Sequence, residues 1–207
     1  LIALYLYTIR HRRYILSFMN ILILTAHPSS VGHAHLIANA YKEEKEKLGD
    51  TVTLVDLYKE ENFLPYFAFE NIKEIPPNET RIRMQQLVTE ADEIVFVFPV
   101  WWSGTPAIMK NWLDHVLAAR FAYRYQEGKL VKMLSGKTAK VFATCGGAGW
   151  YFNHFFAPFY ILWKYAILGY CGINLTTLEV CEWMSKSDGH DARCTQFIEK
   201  VRKDARN

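Results

Sequence analysis

The chain has 207 residues, and at roughly 150 residues per domain it forms one large domain or two small ones. Apolar residues make up 51% of the sequence and charged residues 22%, which excludes intrinsic disorder and predicts a globular protein with a sizeable core. The net charge of +3 is small and evenly spread, which argues against a nucleic-acid-binding surface.

The four cysteines, Cys145, Cys171, Cys181 and Cys194, form no Cys-x-x-Cys pair. No histidine lies at the spacing of a zinc site around them, so we expect no metal. We interpret them as reduced thiols, and this predicts a cytoplasmic protein.

Residues 1–18 differ from the rest of the chain. Their apolar run, residues 1–9, is followed by the basic stretch 10–13 and is too short for the roughly 20 residues of a membrane span. A signal peptide would carry its basic residues before the apolar run. Because Met19 resembles a protein start, we expect residues 1–18 to be a non-native extension, or alternatively a native amphipathic one. Residues 19–207 are then a single domain.

From residue 20 onward, strand patterns alternate with helix patterns. In chain order, we expect strand 21–24, helix 32–48, strand 51–55, an irregular connection 57–79, helix 80–91 capped by Thr80, strand 93–98, helix 105–119, strand 138–144, helix 153–170, strand 175–180 and helix 190–206. The alternation predicts an α/β fold with a doubly wound, five-stranded parallel sheet and helices on both faces. Ligands of such sheets lie beyond the carboxyl ends of the strands.

The loop after the first strand, residues 25–34, carries hydroxyl groups and runs directly into a helix. Unpaired N–H groups at a helix N-terminus, together with the helix dipole, favour a phosphate group. Helix capping by serine or threonine for purely structural reasons is the alternative.

The loop after the third strand contains the adjacent residues Trp101 and Trp102. Two neighbouring tryptophans in a turn cannot both point into the core, and an exposed pair favours aggregation. A flat aromatic ligand would account for them. A packing contact or a subunit interface is the other interpretation.

The loop after the fourth strand, residues 144–149, contains three glycines that let the backbone approach a ligand closely. Its N–H groups can face a developing negative charge, although a plain flexible turn has the same composition. Together, three unusual loops at one edge of one sheet favour a ligand site.

The sequence resembles the flavodoxin-like NAD(P)H:quinone oxidoreductases, the DT-diaphorase group and its bacterial relatives. The resemblance covers residues 19–202 and rests on the segments ILILTAHP, VFVFPVWWSGTPAIMKNWLDHV, FAYRY, TCGGAG and GHDAR. It implies a flavodoxin-like fold and a flavin cofactor, FAD with FMN as the other possibility. The residues it implies for flavin binding are His27, Ser30, Gly32, His33, Ala34, Pro99, Val100, Trp101, Trp102, Thr144, Cys145, Gly146, Gly147 and Arg193.

The resemblance also implies an acceptor pocket and a catalytic pair. Tyr123 and Tyr125 match tyrosines that bind the substrate, often from the partner subunit of a homodimer. Tyr151 and His154 match the pair after the glycine turn that stabilises the reduced cofactor, although a register shifted by one residue selects Phe152.

The chain departs from the family at three positions. Gly32 and Ala34 replace a serine and an asparagine that donate to the phosphates, and Trp150 stands where small residues are common. Phosphate binding therefore depends here on backbone N–H groups, and Trp150 narrows the pocket.

The implied activity is two-electron hydride transfer from NAD(P)H to a quinone by a ping-pong mechanism. The apolar helix near residues 155–170 predicts a dimer interface rather than a membrane span. Two alternatives stay open: a flavodoxin-type electron carrier, which the net charge of +3 disfavours, and an ancillary flavoprotein subunit of a potassium efflux system.

Overall fold

The computed structural model describes residues 18–70, 75–154, 157–185 and 189–207. Apart from residue 18, the predicted extension 1–18 lies outside the described residues. The same holds for residues 71–74 of the predicted connection and for residues 155–156 of the predicted helix 153–170.

Seven strands and seven α-helices form the described part of the chain, together with one 3₁₀ turn and one π-helix. In chain order they are β1 (Asn20–Thr25), α1 (His33–Lys47), β2 (Thr51–Asp56), the 3₁₀ turn (Glu60–Asn62), α2 (Glu79–Glu90), β3 (Glu93–Pro99), α3 (Ala107–Val116), β4 (Tyr123–Gln126), β5 (Lys129–Lys132), β6 (Thr138–Thr144), α4 (Trp150–Asn153), α5 (Pro158–Ile161), the π-helix (Leu162–Leu168), α6 (Gly169–Cys171), β7 (Asn174–Cys181) and α7 (His190–Ala205).

Five strands form one sheet in the order β2-β1-β3-β6-β7, and every pairing in it is parallel. If only these five strands are numbered along the chain, their order in the sheet is 2-1-3-4-5. The order in which the chain adds strands to the sheet reverses between β1 and β3. All seven residues of β3 are buried, as expected for a central strand with helices on both faces. The predicted five-stranded, doubly wound sheet is confirmed.

The core is divided by the sheet into two apolar layers. On one face, α1 and α7 cover Ile23, Val95 and Phe142. On the other face, the helices that follow β2 and β3, together with the π-helix, cover the residues that alternate with these along the strands, including Phe96 and Phe98. Each central strand thus contributes side chains to both layers, which explains its continuous apolar sequence.

The cap of α2 differs from the prediction. Asn78, not Thr80, precedes the helix, and its side chain accepts a hydrogen bond of 2.8 Å from the N–H of Arg81. Asparagine at this position satisfies one of the first N–H groups of the helix, which otherwise has no partner within it.

The predicted helix 153–170 is interrupted. The short helix α4 ends at Asn153, His154 is extended, and α5 begins at Pro158, a residue whose fixed φ suits the first turn of a helix. The π-helix then presents Trp163 and Leu168 to the core. Apolar composition alone did not reveal these breaks. No helix in the described ranges is long and apolar enough to cross a membrane.

A two-stranded antiparallel hairpin, β4 with β5, was not predicted. Its two-residue turn places Glu127 and Gly128 at φ +51° and +75°, as in a type I′ turn. Glu-Gly is a weaker hairpin signal than Asn-Gly or Asp-Gly, and both strands have only four residues. The hairpin carries the two predicted substrate-binding tyrosines.

Candidate functional site

The three unusual loops meet at the carboxyl edge of the sheet. Pro99, at the end of β3, lies opposite Thr144, at the end of β6, and the N–H of Val100 donates to the Thr144 carbonyl at 2.7 Å. Thr144 also lines a narrow crevice together with His33 from the first turn of α1. The sheet therefore brings together residues that are more than 100 positions apart in sequence.

The first loop is closed by His27. Its Nδ1 atom accepts a hydrogen bond of 3.0 Å from the N–H of Ser29, and Ser30 is exposed beside it. A Cβ atom built on Gly32 would lie 2.2 Å from Nδ1 of His27. Any larger residue at position 32, a serine included, would displace the imidazole from this orientation.

Helix α1 begins directly after Gly32 without a side-chain cap and has no acidic residue in its first turn. Ala34 is buried and His33 half-buried at this end of the helix. The first N–H groups of a helix have no partner within it and carry its partial positive charge. This end therefore fits a phosphate group, held by backbone N–H groups rather than by side chains.

The second loop is a tight turn that carries the two tryptophans. Trp101 and Gly104 exchange two backbone hydrogen bonds of 3.0 and 2.9 Å across it. Trp102 and Ser103 take positive φ values of +50° and +58°, a conformation that a bulky residue rarely adopts. Non-glycine residues held there cost about 1–3 kcal/mol each.

Both tryptophans are exposed, Trp101 to 43% and Trp102 fully. The prediction that they do not both enter the core is confirmed. Strain together with an exposed aromatic ring indicates a surface shaped for a ligand or a partner rather than for stability.

The third loop contains the glycine turn, residues 145–149. Cys145 is buried, and burial raises the pKa of its thiol, which remains a donor 3.2 Å from the Gly147 carbonyl. No hydrogen bond among the described residues uses the N–H groups of Gly146 or Gly147. These two N–H groups are therefore free to meet a ligand.

Helix α4 follows the glycine turn and carries Tyr151 of the predicted catalytic pair, and His154 directly follows the helix. Tyr151 is 49% exposed and His154 is exposed, whereas Phe152 is only 9% exposed and packs against Phe159 in the core. The orientation of α4 therefore favours Tyr151 over Phe152 as the residue available to a ligand. Trp150 is also exposed, with its ring 6.2 Å from that of Tyr151.

The predicted substrate tyrosines lie on the hairpin and not at the glycine turn. Tyr123 packs edge-on against Tyr170 of α6, with 4.8 Å between ring centroids, and the hydroxyls of Tyr125 and Tyr170 are 2.5 Å apart. This hydrogen bond raises the pKa of Tyr170 to about 12. Sequence reasoning missed Tyr170, because only the folded hairpin brings it to Tyr125.

Arg193 in the first turns of α7 donates from Nη2 to the carbonyl of Trp183 at 3.0 Å. It lines a cavity of about 490 Å³ together with Trp150 and Glu182. Arg193 therefore lies near the third loop, and Trp183 in the segment that follows β7 connects the two.

Sequence reasoning also missed the segment 182–185, which directly follows β7 and borders the glycine turn. It contains no glycine, matches no known sequence motif and shows no clear hydrophobic periodicity. The one signal in the sequence is its position, since it is a fourth loop at the carboxyl edge of the sheet.

Comparison with known proteins gives consistent results. The profile of the family described as "Flavodoxin-like fold" matches residues 19–205. A Haemophilus influenzae protein named "Uncharacterized NAD(P)H oxidoreductase" is 38% identical over 133 residues, which is 62% of this chain and 65% of that protein. An "FMN-dependent NADH:quinone oxidoreductase" of Clostridium beijerinckii is 24% identical over 192 residues, which is 88% of this chain and 94% of that protein.

Among solved structures, Smu.1420 from Streptococcus mutans UA159 superposes with a TM-score of 0.74 at 31% identity. The match covers 91% of this chain and all of that one. The family profile, the sheet order and the three loops at the carboxyl edge agree with one another, and the chain belongs to the family with the flavodoxin-like fold.

Proposed function

We propose that the chain is a flavin-dependent oxidoreductase that passes two electrons from NAD(P)H to a quinone or a related acceptor. One observation carries the proposal: a helix N-terminus, an exposed tryptophan turn and a turn with free N–H groups meet at one edge of the sheet. The names of the Haemophilus and Clostridium relatives support the same class of enzyme.

The residues at this edge fit the parts of a flavin. The N-terminus of α1, beyond Gly32, would hold the phosphate, with Ser30 and His27 on its loop side. Trp101 and Trp102, with Pro99 and Val100, would line the isoalloxazine ring. The N–H groups of the glycine turn would meet the carbonyl groups of the ring.

We propose FMN as the flavin that binds here, and FAD as the alternative. The uncapped start of α1 supports one phosphate position. The side chain implied for the adenine end of FAD, Arg193, already donates to the Trp183 carbonyl. The name of the Clostridium relative also specifies FMN.

The flavin would supply the redox chemistry, accepting a hydride from the nicotinamide and giving it to the acceptor. The residues of this chain would orient the nicotinamide and the acceptor and would stabilise the charge that develops on the flavin. The exposed rings of the tryptophan turn would fix one face of the site. Tyr151 on α4 and His154 directly after it are exposed beside the glycine turn and would donate hydrogen bonds where negative charge develops.

We also propose that the protein acts as a homodimer in the cytoplasm, with residues 19–207 as its single domain. Ile161, Leu162 and Tyr165 on α5 and the π-helix are exposed apolar side chains that a second copy would cover. Such a dimer would allow Tyr123 and Tyr125 to reach the acceptor pocket of the partner subunit.

The test uses the purified full chain. Its visible spectrum is recorded, any released flavin is identified, and NADH or NADPH is added without oxygen, followed by menadione. We expect bound FMN that bleaches with the nicotinamide and recovers with the quinone. A flavin that stays oxidised would indicate a carrier or a regulatory subunit, and no binding of FMN or FAD after reconstitution would overturn the proposal.

A further inference from the structure

The segment Glu182–Ser185 holds the glycine turn through four hydrogen bonds, and we call it the clamp. The N–H of Met184 donates to the carbonyl of Cys145 at 2.9 Å, and that of Trp183 to the carbonyl of Gly147 at 3.0 Å. The side chains of Ser185 and Glu182 form the other two bonds. Four of the five residues of the glycine turn are thus hydrogen-bonded to the clamp.

The two side-chain bonds fix the middle and the end of the turn. The Ser185 hydroxyl donates to the carbonyl of Gly146 at 2.8 Å. The carboxylate of Glu182 accepts from the N–H of Gly149 at 2.7 Å. A Cβ atom on Gly149 would lie 3.0 Å from that of Glu182 and 3.2 Å from the Val180 carbonyl, so the chains approach closely here.

The geometry of the peptide bond determines where the N–H groups of the turn point once its carbonyls are held by the clamp. In a planar trans peptide the C=O of one residue and the N–H of the next point in opposite directions. Because the carbonyls of Cys145, Gly146 and Gly147 all face the clamp, the N–H groups of Gly146, Gly147 and Ala148 point away from it. None of these three N–H groups has a hydrogen-bond partner among the described residues.

Successive N–H groups that point to the same side form a concave site for a negatively charged or carbonyl oxygen. Glu182 ends this run, because it takes up the next N–H, that of Gly149. The clamp therefore determines both the direction and the length of the row of donors.

We infer that Glu182 and Ser185 are positioning residues, which orient the three N–H donors toward the pyrimidine edge of the flavin. The inference rests on the proposed function, since it assigns these donors to the flavin. Neither side chain needs to touch the cofactor. Their effect passes through the backbone of the glycine turn.

The test compares Glu182→Ala with Glu182→Gln. Both variants remove the negative charge, but the glutamine amide oxygen can still accept from the Gly149 N–H. A difference between the two variants therefore reports the hydrogen bond alone. Glu179→Ala is the matched control, since Glu179 lies on β7 just before the clamp and pairs with Lys200 at 2.7 Å, and no hydrogen bond among the described residues joins it to the turn.

Three quantities are measured: the Kd of the apoprotein for FMN by fluorescence quenching, the midpoint potential of the bound flavin, and amide hydrogen exchange in the apoprotein at Gly149, Trp183 and Met184, whose N–H groups bond between the clamp and the turn. We expect Glu182→Ala to bind FMN roughly tenfold more weakly than Glu182→Gln, which is about 1.4 kcal/mol. Its potential is expected to be more negative than that of Glu182→Gln, and exchange in the turn to be faster. Glu179→Ala should behave as the wild type.

Equal affinity, potential and exchange in Glu182→Ala and Glu182→Gln would overturn the inference and leave the proposed function intact. Failure of the wild type to bind any flavin would instead overturn the proposed function, while the exchange measurement still tests the clamp. If Glu182→Ala does not fold, Ser185→Ala replaces it, because this variant removes only an exposed hydroxyl. Ser185→Thr, which keeps the hydroxyl, should then restore wild-type affinity and exchange.

Discussion

The two ends of the sheet are built in opposite ways. Toward the amino-terminal end, Tyr41 donates to Glu93 at 2.5 Å, and Lys140 forms an ion pair with Asp204 and lies 4.0 Å from Glu93. Burial and the charge of Glu93 raise the pKa of Tyr41, so its hydroxyl remains a donor. Every charge in this cluster has a partner.

The carboxyl end leaves groups without partners. Trp102 is fully exposed in a strained turn, and the N–H groups of Gly146 and Gly147 have no hydrogen-bond partner among the described residues. The amino-terminal end thus pairs its buried charges, whereas the carboxyl end presents exposed and unpaired groups, as the proposed flavin site requires. Substitutions at the two ends should therefore separate stability from flavin binding.

The largest expected effect is on stability, from Lys140→Met at the amino-terminal end. It leaves Glu93 and Asp204 without their cation, and breaking a buried pair in this way costs about 3–5 kcal/mol. Urea denaturation followed by circular dichroism measures the loss. The Kd of the folded protein for FMN should not change.

The control for this prediction is Lys200→Met. Lys200 pairs with Glu179 at 2.7 Å on the surface, where such pairs contribute about 0–1 kcal/mol. If both lysine variants lose the same free energy of unfolding, the amino-terminal cluster has no special role in stability.

The next effect is on turnover, from His154→Ala at the carboxyl end. His154 is exposed after α4, so its removal should leave the melting temperature within a degree or two, on the scale of surface substitutions. We expect turnover with menadione to fall roughly 100-fold, since a positioned proton donor contributes about that much. Full turnover in this variant would remove His154 from the catalytic role.

The central strands and the unusual loops at the carboxyl end could be predicted from the sequence for a clear physical reason. Strands buried on both faces need continuous apolar runs, such as that of β3. The loops proposed to meet the flavin stand out through residues that are unusual in turns, such as Trp102, or through clustered glycines, such as Gly147. These signals are local, so they can be read without the fold.

What the sequence did not predict depends on contacts between distant segments. The bond of Tyr125 with Tyr170 spans 45 residues, and that of Glu182 with Gly149 spans 33. The interruption of the helix at His154 is also invisible in an apolar pattern, because core and surface side chains there are both apolar.

A smaller effect is expected from Trp102→Gly, and it should have opposite signs on stability and binding. Glycine adopts φ +50° without strain, so the free energy of unfolding should rise by about 1 kcal/mol. Loss of the ring should weaken FMN binding roughly tenfold, since stacking on an aromatic side chain is worth about 1–3 kcal/mol.

Trp102→Ala separates the two effects, because it removes the ring but keeps a Cβ atom at the strained position. Binding should weaken as in the glycine variant, while stability stays close to that of the wild type. Unchanged FMN retention in both variants would show that Trp102 is exposed for some reason other than the flavin.

The smallest effect tests the connection between β2 and α2, which begins at the carboxyl end of the sheet but is anchored by buried groups. The Nε2 atom of His115 in α3 lies 2.7 Å from the Pro65 carbonyl, and Asn111 donates to the Leu64 carbonyl at 2.7 Å. Burial lowers the pKa of His115 below its ordinary value, so the folded protein keeps this imidazole neutral.

The unfolded chain binds a proton on this histidine at higher pH than the folded protein does, so its contribution to stability is complete above about pH 6.5 and decreases as the pH falls. His115→Gln cannot titrate, and its amide can still donate to Pro65. We therefore expect the free energy of unfolding of the wild type to fall more steeply between pH 7 and pH 5 than that of His115→Gln, in parallel urea titrations. Equal slopes would mean that His115 takes up its proton as readily in the folded protein as in the unfolded chain, and the connection would then resemble the solvated loops of the carboxyl end.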